Sequence, residues 1–431
     1  MEKSTLKSAY SLVSFFGKID YNWRNLLLAS FTIRRDGSSR FGRNNRYGTF
    51  PAATLGYRVS ENIKKSWLND LKIRLSWGKT GNQAISNTAR YALYVADYGN
   101  DRVTSTAYDL LLQQSGIFPS GYIASQTAND NLKWETTIQY NAGVDYSMFN
   151  DRLFGSVDAY IKDVKDMLIQ PAYLGAMGEG GASWLNGPSL RNWGMEFLIG
   201  WRDELKCGLT YRASLNLDFF RNHVTYLPNT TTGSYAHTTT ENLVHAHPPS
   251  GSNVGLVFDG LFQTREEAAA SGQDNARMGG MKYADLNGDG RITPDDQTWI
   301  FNPVPDLSFG LNIELGYKNF DLQMFWQGVL GQDVYNNQKF QNDFWSVTDA
   351  GSNKGDRVLD AWLPNVNTSS TIPMLTTDNK GDEGRTSSYF VENGSYAKLR
   401  TLQLGYNLPD KLLSKLRMSR ARVYVSGQNL L

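Results

Sequence analysis

The sequence predicts an all-β protein, an antiparallel transmembrane β-barrel with long loops at one end and short turns at the other. Three observations lead there. Apolar and polar residues alternate with period two over segments of about ten residues, the signature of strands with one apolar and one polar face. The connections between these segments alternate between short and long along the whole chain. Tyrosine and tryptophan, 23 and 11 of the 431 residues, gather towards segment ends.

The alternation is read most directly in four places. Leu71, Ile73, Leu75 and Trp77 interleave with Lys72, Arg74, Ser76 and Gly78, and Met195, Phe197, Ile199 and Trp201 with Glu196, Gly200 and Arg202. The run from Leu209 to Phe219 sets Thr210, Arg212, Ser214, Asn216 and Asp218 on its polar side. Phe309, Leu311, Ile313, Leu315 and Tyr317 alternate with Gly310, Asn312, Glu314, Gly316 and Lys318. Roughly twelve strands follow from such segments, near residues 8–21, 24–35, 47–60, 70–80, 132–148, 151–165, 191–203, 206–221, 306–318, 319–330, 395–408 and 419–428. One stretch, Pro409 to Leu416, reads as a short helix opened by proline.

The short connections are Tyr21–Arg24, Ser60–Asp70, Phe149–Asp151, Asp203–Lys206, Lys318–Asn319 and Pro409–Met418. Between them lie the long connections 36–46, 81–131, 166–190, 222–305 and 331–394, rich in Gly, Asn, Ser, Thr and Asp. In an antiparallel meander all long connections then emerge at one end. A soluble sandwich has no reason to sort its loops so, whereas an outer-membrane barrel has short periplasmic turns and long extracellular loops. Strands of this length cross a bilayer, and closure satisfies the backbone without exposed edges. Tyr21, Trp23, Tyr57, Trp77, Trp201, Tyr317 and Tyr406 stand where an interfacial aromatic girdle belongs. A soluble glycan-binding β protein, its apolar faces meeting in a dry core, is the competing architecture.

Composition excludes other classes. The longest unbroken apolar run, Tyr91–Ala96, is far short of the about 20 residues a spanning helix needs. With 43 basic and 42 acidic residues, net charge +1 gives no reason to expect nucleic acid as a partner. The single cysteine, Cys207, rules out internal disulfides. No apolar leader follows Met1-Glu2-Lys3-Ser4-Thr5.

Several segments resemble the SusC/RagA family of TonB-linked outer-membrane transporters. Arg34-Arg35-Asp36-Gly37-Ser38-Ser39-Arg40-Phe41-Gly42 is similar to its RxDGSSRFG stretch. Phe50-Pro51-Ala52-Ala53, Leu55 to Ser60, Leu71 to Gln83, Leu132 to Thr137, Asn192 to Glu196, Leu399 to Tyr406 and Val423 to Leu431 also match, in family order. The resemblance implies a barrel of about 22 strands around a plug. This chain, residues 1–431, would then supply about the second half, with the plug domain and the last strand absent. It further implies energised uptake of oligosaccharides or peptides across the outer membrane of a Bacteroidetes-type, Gram-negative cell. A SusD-like lipoprotein would cap the outside, and TonB would act through the missing N-terminal region. A passive porin is the alternative within the membrane class, although a connection as long as 222–305 argues against it.

Asp285-Leu286-Asn287-Gly288-Asp289-Gly290-Arg291-Ile292-Thr293-Pro294-Asp295-Asp296 has the layout of a calcium loop. Asp285, Asn287 and Asp289 offer alternate oxygens, Gly290 the bend, the Arg291 carbonyl a seventh-position ligand and Asp296 the last carboxylate. The other reading is a cluster of Asn-Gly and Asp-Gly turns that needs no metal. All four histidines, His223, His237, His245 and His247, fall in one long connection without zinc spacing. No GxSxG or HExxH occurs, and no enzymatic function is expected. Candidate ligand-binding rings in the loops are Tyr173, Trp184, Phe344, Trp345 and Trp362, with Phe262 and Phe340 beside them. The alternative for each is packing within the loop. On the polar face, Arg34, Arg58, Lys72, Arg74, Glu196, Arg212, Asp218 and Glu314 would line a route or hold a plug.

Overall fold

A computed structural model describes residues 9–97, 121–170, 183–226, 253–344, 353–376 and 384–430. Twelve long strands follow one another in chain order in one sheet. They are β1 (Leu12–Trp23), β2 (Leu27–Ser38), β3 (Tyr47–Arg58), β4 (Leu68–Asn82), β5 (Glu135–Met148), β6 (Leu153–Lys165), β7 (Ser189–Glu204), β8 (Leu209–Tyr226), β9 (Leu307–Tyr317), β10 (Phe320–Leu330), β11 (Tyr396–Asn407) and β12 (Arg422–Gln428). Every expected strand is present, and the expected helix spans Asp410–Lys415. β12 starts later than expected because the chain first closes that helix, with Arg417 at positive φ and the Met418 amide bonded to the Leu413 carbonyl.

The chain divides into two compact units. One contains residues 1–146, 158–193 and 224–236, and the other contains the remainder. In the first, β1 to β4 form an antiparallel meander with Leu55 opposite Leu75 and Tyr57 opposite Ile73. In the second, β8 to β12 form another, with Arg212 opposite Glu314 and Glu314 opposite Gln323. The tight turns rest on left-handed residues: Arg24 and Asn25 between β1 and β2, Phe149 to Asp151 between β5 and β6, and Lys318 between β9 and β10. Lys318-Asn319 is a two-residue hairpin turn, and positive φ at its first residue matches the twist of the flanking strands.

The faces of the strands decide between the two architectures. Leu55, Ile73 and Leu75 keep 44%, 42% and 51% of their surface exposed, while Lys72 and Arg74 between them are half-buried. Phe31, Ile33 and Trp77 continue that apolar stripe, and Leu404, Tyr406, Val423 and Val425 form one in the second unit. All seven expected girdle aromatics are exposed. Water-soluble proteins rarely leave apolar surface contiguous on this scale. A strand whose greasy side faces outward and whose charged side is paired belongs in lipid.

The loops hold the two cores. Phe41, Phe50, Ile85, Ala89, Leu132 and Trp134 form one in the first unit. In the second, Leu256, Leu261, Met281, Tyr283, Ile292, Phe344, Trp362, Tyr389 and Phe390 form the other. The sequence suggested a helix only near residue 410. Among the described residues, two more lie inside loops, Arg265–Ala270 and Asn337–Asn342. The first carries a readable signal. Thr264 caps it by accepting from the Glu267 amide, and Glu267 accepts the Gln263 amide in return.

Candidate functional site: the polar wall and the loop end

On the polar side of the first unit the charges neutralise one another. Arg74 on β4 donates through Nε and Nη2 to both oxygens of Asp145, at 2.8 Å each, and through Nη2 to Asp158 at 2.9 Å. Lys72 lies 3.7 Å from Asp145, and Arg58 lies 3.3 Å from Asp70. Gly143 makes the triad possible, because a Cβ there would stand 2.9 Å from Arg74 Nη2. Beside the triad a cleft of about 420 Å³ is lined by Asp20, Ser30, Thr54, Lys72 and Asn141. The resulting wall is polar but locally balanced, and its side chains are held by bidentate geometry.

The polar side of the second unit is arranged differently. Arg152 pairs with Asp203 at 3.1 Å, Arg221 with Asp306 at 2.6 Å, and Arg422 Nε donates to Asp321 at 3.0 Å. Arg202 and Arg212 instead lie over the ring of Phe154, with guanidinium carbons 5.6 and 5.1 Å from its centre. Of the remaining candidates, Arg34 in the first unit is tied to Asp36 at 2.7 Å, and Glu196 in the second is exposed. Asp218 Oδ1 is buried without a hydrogen-bond partner.

At the loop end of the first unit, the Arg34–Gly42 segment welds connections together. Ser39 Oγ accepts from the Ser11 amide, Arg40 donates to Asn87 Oδ1 at 2.7 Å and to the Gln83 carbonyl at 2.8 Å, and Phe41 is fully buried. Phe41 packs on Trp134 with centroids 5.0 Å apart, and Trp134 donates its indole N–H to the Arg46 carbonyl. A Cβ on Gly42 would overlap the Asp130 carbonyl. The motif is an anchor.

Three of the candidate ligand-binding rings are corrected by burial. Phe262, Phe344 and Trp362 retain 0%, 3% and 1% of their surface, and Phe344 and Trp362 pack inside the second loop core. Trp362 donates to Gln263 Oε1 at 3.1 Å, which joins one connection to another. Trp184 is half-buried against the Phe41–Trp134 cluster. These rings look ligand-like in sequence because a long loop with its own core uses the same residues as a binding platform. Tyr173, Trp345, His237, His245 and His247 lie outside the described residues.

The same loop core contains buried polar chemistry. Tyr389 donates to Asp343 Oδ2 at 2.8 Å, and Arg357 stands 3.3 Å from that carboxylate. Burial, then the Asp343 carboxylate, pushes the Tyr389 phenol far above its usual range. Lys339, bonded to Glu392, holds that carboxyl below its ordinary value.

In the calcium-type loop, Asp285, Asn287 and Asp289 are exposed at alternate positions. Asp285 accepts from the amides of Gly288 and Gly290 at 2.7 and 2.8 Å, Asn287 from Asp289 at 2.9 Å, and Asp289 from Arg291 at 2.8 Å. The Gly290 amide is the main reason the Asp285 carboxyl lies below its usual range. Asp296 is fully buried, accepts from Leu286, Asn287 and Thr293 amides and closes a capping box on the turn Pro294–Asp296. The side-chain oxygens of Asp285, Asn287 and Asp289, like those of Asp296, accept hydrogen bonds from within the loop, but only Asp296 is buried. Among the described residues no three acidic, histidine or cysteine groups converge on one point.

Comparison with known proteins places this architecture. Residues 4–430 match the family model described as TonB dependent receptor-like, beta-barrel. TonB-dependent receptor P3 of Formosa agariphila is 32% identical over 452 residues, covering 100% of this chain and 42% of that protein. TonB-dependent receptor SusC of Bacteroides thetaiotaomicron is 31% identical over 444 residues, covering 99% of this chain and 41% of that protein. The solved RagAB peptide transporter superposes with a TM-score of 0.78 at 23% identity, covering 98% of this chain and 44% of that one. The chain thus spans less than half the length of the relatives it matches.

Proposed function

Because the chain belongs to the TonB-dependent receptor β-barrel family, we propose that it supplies barrel wall and extracellular loops to an active outer-membrane importer of oligosaccharides or peptides. The observation that carries this reading is the outward apolar face on strands whose inward charges are paired, in a chain matching that family over nearly its whole length. The importer would draw energy through TonB and work with a SusD-like lipoprotein seated at the loop end. The SusC relative and the RagAB fold support this proposal. No covalent step is assigned to it: the loop end would bind cargo and the polar wall would line its path.

The test is uptake of labelled oligosaccharides and peptides by cells carrying the intact gene, with and without TonB. Uptake that vanishes in either the gene deletion or the TonB-deficient strain is expected. Uptake that persists without TonB would replace this reading with a passive porin. A monodisperse aqueous monomer obtained without detergent would overturn both.

Calcium at residues 285–296 belongs to the same proposal, on the strength of the exposed Asp285, Asn287 and Asp289 oxygens. Added Ca²⁺ should raise the melting temperature of the loop core, and Asp285→Asn should abolish the rise. An unchanged melting temperature on chelation would leave the turn cluster as the loop's whole role.

A further inference from the structure

The short-turn end of the second unit's polar wall contains a cavity of about 550 Å³. Asn150, Arg152 and Asp203 lie on its β5–β6 and β7–β8 side, Glu314 and Gln323 on its β9–β10 side, and Arg202 and Arg212 between. The acidic groups around it are mostly taken. Asp203 is bound by Arg152, and Asp321 by Arg422 and Asn407. Glu314 faces Arg212 in register across β8 and β9, yet no ion pair within 4 Å joins them among the described residues.

Arg202 spends its Nε–H on the Asp151 carbonyl at 2.9 Å and otherwise rests on Phe154. Arg212 rests on the same ring. Gly200 gives that ring its room, since a Cβ there would overlap it. An aromatic face holds a guanidinium flat while leaving its N–H edges free. One cation would suffice for such a stack. Two on one ring repel each other, and that repulsion is offset when an anion is shared between them.

We infer that Arg202 and Arg212, spread on Phe154, form an oxyanion notch that holds a carboxylate or sulfate group of the cargo near the periplasmic mouth. Planar guanidinium edges match such groups in bidentate fashion. The inference rests on the importer reading in one respect, that this polar face lines the path rather than holding the plug. It goes further by giving the cargo a negative charge, whether carried by an acidic peptide or by an acidic glycan. Partial compensation by Glu314 keeps the notch weak, which suits a station that must release what it holds.

The experiment uses the intact importer purified from outer membrane in detergent, titrated calorimetrically with tri-glutamate, tri-galacturonate and neutral maltotriose at low and high salt. At least one acidic probe should bind at low salt, weaken at high salt and lose about tenfold or more in the Arg202→Gln/Arg212→Gln double variant. Binding of tri-glutamate alone assigns a peptide source, and binding of tri-galacturonate alone a glycan source. Maltotriose should respond identically in both proteins. Absence of binding by either acidic probe, or equal affinity in the double variant, overturns the notch. So does a double variant that loses only melting temperature, which would make the pair a structural brace. Each variant is first checked for heat-modifiable migration on gels, a property of the folded barrel. TonB-dependent uptake is scored separately, so failure of the notch and failure of the importer reading remain distinguishable.

Discussion

The two units build their polar walls from the same residue types, and one pair of arginines in the second departs from the ion pairing that both walls otherwise share. In the first, Arg74 is locked between Asp145 and Asp158, and Lys72 leans on the same carboxylate. In the second, Arg202 and Arg212 rest on a ring, with Arg202 Nε donating to the Asp151 carbonyl rather than to a carboxylate. A cation held by two carboxylates is a fastener, because removing it strands partly buried negative charge. A cation on an aromatic face strands nothing when it leaves. The contrast therefore separates arginines that fasten carboxylates from arginines that rest on a ring.

The largest way to disturb this comparison is through the loop cores. Trp134→Ala in the first unit and Trp362→Ala in the second should each cost about 3–5 kcal/mol of local stability. Hydrogen exchange should show each loss confined to the loops of its own unit. Next comes the wall itself. Arg74→Ala should cost about 2 kcal/mol, below the fully buried case because the side chain keeps a third of its exposure. Arg212→Ala should change stability by less than about 1 kcal/mol. Thermal unfolding in detergent compares them directly, and equal losses would erase the distinction. Gly143→Ala should cost about 1–2 kcal/mol by pushing Arg74 and Asp158 apart.

The smallest expected effect is a pH response of the second loop core. Lys339 lowers the Glu392 pKa, so this pair stabilises the folded loop above the ordinary value of 4.5 and is lost as pH falls below it. The Gln263 amide does the same for Glu267. Protease susceptibility of residues 253–303 should rise under acid conditions, and Glu392→Gln should flatten that rise.

Much of the wall was legible in the sequence because alternation is a local rule. Leu71 to Trp77 report their own faces, and left-handed turn residues such as Asn25 mark the hairpins. The girdle aromatics also follow from position alone. The loops were not legible in this way. Phe344 and Trp362 join a core with Leu256, Met281 and Tyr389, and nothing in their immediate neighbours shows that they meet these distant residues. Their burial is a product of long-range packing, which a pattern of period two cannot encode. The pairing of Arg74 with Asp145 and Asp158 is likewise invisible until β4, β5 and β6 have their registers. The Thr264–Glu267 box was readable, and it marks a helix that the polar composition of the surrounding loop masked.

The shared core of the second unit has a consequence for how specificity could change. Its walls come from both 253–303 and 331–395, stitched by Trp362 to Gln263, by the Met374 amide to the Gly279 carbonyl and by the Leu256 amide to the Thr386 carbonyl. Neither segment owns a complete interior. A graft that swaps one of them for a homologous stretch would inherit half a jigsaw, so exchange of these loops between relatives should succeed when both segments travel together as one heritable cassette.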